Sequence, residues 1–145
     1  MTVRRNTPEP DRFNADVVLP YELRLEDFRS AMQDVYDFFF DVNSGLTAKG
    51  LGRLDDTLRP AIMSGVLSDM LTASLAKHSR TLVVNAYFNG HPDLVVKGRY
   101  ADNAVKAGEH GVDFRKNARG ELGTRTATLH AEGIAKLRTS WVYRR

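Results

Sequence analysis

The most chemically suggestive feature of the chain is a carboxylate placed directly after a proline, Pro92-Asp93. It precedes the apolar run Leu94-Val95-Val96, so Asp93 is expected where a buried strand begins, fixed by rigid backbone and reachable by solvent. A carboxylate in that position suits a hard cation such as Mg²⁺, which prefers oxygen ligands. Pro-Asp is also an ordinary turn former, so the dipeptide alone names no reaction. The four histidines, His78, His91, His110 and His130, share no metal-ligand spacing and read as polar surface groups. The absence of cysteine excludes thiolate nucleophiles, disulfides and Cys-ligated zinc. No nucleophile elbow and no Walker or dinucleotide-binding glycine pattern occurs. Asp55-Asp56, just before Pro60, reads as a helix cap or a solvated pair.

These residues need elements to position them. Residues 1–20 hold Pro8, Pro10 and Pro20 with no sustained periodicity and read as a flexible N-terminal arm. From about Glu22 to Val42, Phe28, Met32, Val35 and Phe39 recur at helical spacing, and Asn43-Ser44-Gly45 is expected to end that helix. A second helix is expected from Pro60 to His78, with Ile62, Val66 and Met70 beside Met63, Leu67 and Leu71 in a stripe broad enough for a mostly buried element. The period then changes. Thr81 to Phe88 is β-branched and aromatic and reads as a strand, Asn89-Gly90 as a hairpin turn, and Leu94-Val95-Val96 as the return strand. Ala101 to Gly111 reads as loop. Leu129, Ile134, Leu137 and Trp141 share one face of a C-terminal helix over about 126–140. The class is α/β, with one domain over residues 21–145.

Composition is that of a globular domain, and 145 residues suffice for one core. No apolar run approaches the roughly 20 residues of a membrane span, and the polar, acid-bearing start resembles no secretory signal. A cytoplasmic protein with no membrane partner is the expectation. Charge is unevenly spread: residues 1–98 carry 11 Lys/Arg against 13 Asp/Glu, whereas residues 99–145 carry 10 against 5. The basic final third suits a phosphate-bearing or acidic partner, or simply a solvated surface.

Longer stretches are more specific. Gly52 to Val66, His91-Pro92-Asp93-Leu94-Val95, and Asn103 to Val112 together resemble bacterial restriction-endonuclease-like proteins of the PD-(D/E)XK superfamily, over nearly all of residues 25–112. The resemblance implies helices packed on a small, incomplete mixed sheet, and Mg²⁺-dependent hydrolysis of phosphodiester bonds in double-stranded DNA, as in the type II enzymes of restriction-modification. In that family the Asp of Pro-Asp and an acid one strand later hold the metal, and a Lys two positions beyond that acid serves the attacking water. Asp93 is then the first ligand, and Lys97, Arg99, Lys106, Lys116, Arg119 and Arg125 are candidates for the DNA backbone.

The chain departs from the pattern where Glu-x-Lys is expected, reading Asp113-Phe114-Arg115-Lys116 instead. In one reading Asp113-x-Arg115 is a degenerate motif, with Asp113 the second metal ligand and Arg115 facing the phosphate. Arg cannot exchange a proton as Lys can, so catalysis would be weak. In the other, favoured by the short length, the chain lacks the Glu-x-Lys and several sheet elements through an internal deletion. Open edges would then favour a homodimer or another subunit as cover. The alternative function is a non-catalytic remnant that binds DNA or a subunit through the basic third.

Overall fold

A computed structural model describes residues 2–13, 15–16, 18–116 and 122–126. Helix α1 runs Leu25–Ala48, α2 is a single turn at Leu54–Thr57, and α3 runs Pro60–His78. Strands β1 (Leu82–Val84), β2 (Leu94–Val96), β3 (Gly111–Lys116) and β4 (Leu122–Thr126) follow, in the order β1-β2-β3-β4. Among the described residues every strand pair is antiparallel, so the sheet there is a meander rather than the mixed sheet expected. The nine residues between β1 and β2 are too few for the crossover of a dozen or more that a parallel neighbour needs. The expected C-terminal helix lies outside the described residues.

The start of α1 is fixed by Asp27, whose buried carboxylate accepts from the Arg24 backbone N–H at 2.9 Å and from its guanidinium at 2.8 Å. Phe28, Ala31, Met32 and Val35 form its buried stripe. The expected stop at Asn43-Ser44-Gly45 is overridden, and the helix continues to Ala48. Asn43 does not break it because its side chain bonds away from the helix. Its Oδ1 accepts from the Leu54 N–H and its Nδ2 donates to Asp55 Oδ1, both at 2.7 Å. The glycine that follows the true end is Gly50, at φ +72°, with Leu51 N–H returning to the Leu46 carbonyl. Asp55 is held by Asn43 and by Arg53 at 2.7 Å, so it is neither a cap of α3 nor free in solvent.

Helices α1 and α3 pack together, and α3 lies against β1 and β3. Asp34 on α1 joins the two helices, with Oδ2 lying 3.0 Å from Lys77 Nζ and 2.9 Å from His78 Nε2. The expectation of a mostly buried α3 holds for one side: Met63, Leu71, Ser74 and Leu75 are buried, whereas Ile62 is 52% exposed. One sheet face supplies Leu82, Leu94 and Val112 to the core formed with Leu23, Phe28, Val35 and Leu75. Full burial of each such side chain contributes about 1.5–3 kcal/mol. The N-terminal segment lies along α1, with Arg5 paired to Asp37 at 2.8 Å and its guanidinium 4.6 Å above the Phe40 ring. No helix among the described residues is long and apolar enough to cross a membrane.

Candidate active site

Strand β1 is shorter than its sequence suggests, ending at Val84 rather than near Phe88, and no two-residue hairpin forms at Asn89-Gly90. Asn85 causes the change. Its Nδ2 donates to the carbonyls of Pro92 (2.9 Å) and Val105 (2.8 Å), and its Oδ1 accepts from the N–H groups of Tyr87 and Val105, each at 3.0 Å. These four bonds use the whole capacity of the amide. They draw the chain out of the ladder into a loop that ends on the cis peptide His91–Pro92. The Asn85 N–H still reaches the Asp93 carbonyl at 2.9 Å, so pairing resumes at Asp93.

Strand β3 crosses closely behind this turn. A Cβ on Gly111 would stand 2.0 Å from the Leu94 carbonyl oxygen and 2.3 Å from Pro92 Cγ, so only glycine permits the approach. The Gly111 N–H donates to the Tyr21 hydroxyl at 3.1 Å. Burial pushes the Tyr21 phenol above its ordinary range, with the Gly111 bond opposing it only in part.

Leu94 pairs with Val112 and Val95 with Gly111. One step further along that register, Asp93 stands opposite Asp113, on the sheet face away from the Leu94–Val112 core. The Asp93 N–H donates to Asp113 Oδ1 at 2.8 Å. Asp113 Oδ2 lies 2.9 Å from His91 Nδ1, and the Asp113 side chain is only 3% exposed. Strand β3 runs unbroken through Val112-Asp113, pairing with β2 on one side and β4 on the other.

Asp93 and Asp113 thus place two carboxylate-bearing residues on neighbouring strands at one sheet end. Mg²⁺ is typically held by one or two carboxylates, with water and substrate phosphate completing its shell, so Asp93 and Asp113 fit it. Among the described residues no group of three or more His, Cys, Asp or Glu side chains is gathered for a metal.

The expected DNA contacts are placed less tightly. Lys106 is exposed at the same end as Asp93, its carbonyl accepting from the His91 N–H at 3.0 Å. Lys97 and Arg99 are exposed beyond the other end of β2, and Arg99 Nη2 lies 3.0 Å from His110 Nε2. In the ladder, Arg115 pairs with Gly123, Lys116 with Leu122, and Arg125 with Asp113 itself. Arg119 lies outside the described residues. Sequence reading missed Asn85 and His91. The available signals were an amide interrupting an apolar strand and a histidine immediately before Pro-Asp. Compared with known protein families, curated proteins and solved structures, the chain matches none.

Proposed function

We propose that this chain is a Mg²⁺-dependent phosphodiesterase of the restriction-endonuclease-like class, acting slowly on double-stranded DNA. The observation that carries the reading is the cross-strand placement of Asp93 and Asp113, two carboxylates from the Pro-Asp turn and the next strand. Asp93 and Asp113 would hold the cation, which when bound polarises the phosphate and acidifies its water. Asp113 keeps its orientation through the Asp93 N–H, so one backbone group ties the second ligand to the first. Arg115, two residues along β3, would hold the phosphate by its guanidinium but cannot accept a proton. General-base help is worth roughly 10²- to 10⁴-fold, and its loss accounts for slow cutting.

The test is plasmid cleavage with Mg²⁺ or EDTA by the parent chain, Asp93→Ala, Asp113→Asn and Arg115→Lys. Metal-dependent cutting that is abolished by the first two substitutions and raised by the third is the expected result. A folded parent that cuts no DNA, or cuts equally well without Asp93, would remove the reading. The second reading, a DNA-binding remnant without catalysis, draws on the arginine at position 115. Its mark is DNA affinity that falls steeply with salt and no cleavage in any variant.

A further inference from the structure

We propose that Phe88 is a base-contacting wedge, entering a base step of duplex DNA beside the Asp93 turn. That DNA is the partner rests on the proposed function. Phe88 is 86% exposed, more than any other aromatic side chain among the described residues. The loop is built to keep the ring there. The Gly90 N–H donates to the Tyr87 carbonyl at 2.9 Å, closing a four-residue turn with Phe88 at its second position. Asn89 takes the left-handed conformation, φ +54°, that the third position of a type II turn requires. Asn85 clamps the base of the turn through its bonds to Pro92, Val105 and Tyr87. A Cβ on Gly90 would run into the Val105 carbonyl and the Asn85 amide, so the turn lies directly against that segment. Fixed backbone thus presents Phe88, and little freedom is left to lose on binding.

The surroundings of the ring select the partner. Lys106 is exposed, and its carbonyl accepts at 3.0 Å from the N–H of His91, three residues beyond Phe88. Asp93 follows two residues later, its carbonyl bonded to the Asn85 N–H at 2.9 Å. An aromatic tip, a cation suited to phosphate and a candidate metal ligand therefore share one end of the sheet. A protein partner needs roughly 800 Å² on each side. Phe88 and Tyr87 together offer no more than about 500 Å². One ring does match one nucleobase, and apolar side chains inserted at a base step unstack and kink a duplex. Unstacking costs least where pairing is already broken.

The test is binding in EDTA to two short duplexes, one fully paired and one with a single mismatch. The proteins are the parent, Phe88→Ala, Phe88→Trp and Lys106→Ala. The parent is expected to hold the mismatched duplex about tenfold more tightly, and Phe88→Ala to lose that preference. Phe88→Trp should keep it. Salt dependence separates ring from charge, being unchanged in Phe88→Ala and shallower by about one phosphate in Lys106→Ala. Equal urea midpoints for the parent and Phe88→Ala check that the fold does not depend on the ring. Phe88→Ala that binds both duplexes as the parent does, or a parent without the preference, overturns the proposal and leaves the nuclease reading standing. A Phe88-dependent dimer in sedimentation also overturns it, since the ring would then seat on a second copy. A preference lost in Phe88→Ala, in a parent that cuts no DNA with Mg²⁺, upholds the wedge and removes catalysis alone. A parent that binds neither duplex removes both.

Discussion

The backbone N–H of Asp93 donates to Oδ1 of Asp113 at 2.8 Å, joining residues twenty positions apart. The bond crosses the end of the β2–β3 ladder, where regular pairing gives way to the turn that begins at Asn85. A nearly buried carboxylate therefore accepts where a backbone carbonyl would accept in an unbroken ladder. It leaves Asp93 and Asp113 at opposed positions on neighbouring strands.

The approach that permits this bond depends on Gly111. Gly111→Ala is expected to cost about 3 kcal/mol, because its Cβ would meet backbone and proline ring that have no room to yield. Gly45, on the exposed side of α1, has nothing within 4 Å of an added Cβ. Gly45→Ala should therefore gain about 0.5–1 kcal/mol from helix propensity alone. Urea denaturation of the two variants beside the parent checks both signs in one experiment.

Asn43 is buried within α1 and ties that helix to α2. Asn43→Ala leaves the Leu54 N–H and the Asp55 carboxylate without that partner, and a loss of about 2–3 kcal/mol is expected. Arg53 still holds Asp55, so the damage should concentrate at Leu54. Amide exchange at Leu54, compared with exchange in the core of α3, would show whether the opening is local.

Asp34 gives the fold an acid-side dependence. Burial alone would raise its pKa, but hydrogen bonds from Lys77 and His78 outweigh that and hold it below the ordinary carboxylate value. A depressed folded-state pKa means stability that is present above the unfolded value, about 4, and is lost as pH falls through the folded one. Asp34→Asn should thus be less stable than the parent at pH 6, by no more than about 1 kcal/mol for so exposed a pair. The difference should close by pH 3. Urea midpoints at both pH values decide it, and equal midpoints at pH 6 would show that the pairing contributes nothing.

The two long helices are legible in the chain alone, because Phe28, Met32 and Val35 on one, and Met63, Leu71 and Leu75 on the other, repeat at helical spacing regardless of what they meet. So is the buried strand Leu94-Val95-Val96 with Asp93 at its head, since that needs only an apolar run after a turn. Folding in three dimensions settled where α1 ends, how long β1 is, and what stands opposite Asp93. At Asn43 and Asn85 the local signal for a stop or a continuing strand was overruled by side-chain hydrogen bonds to residues 11–12 and 7–20 positions away. Spacing along a chain carries no information about such partners. The meeting of Asp93, Asp113 and His91 has the same origin, because it requires a β2–β3 register and a close crossing at Gly111 that exist only once the strands have paired.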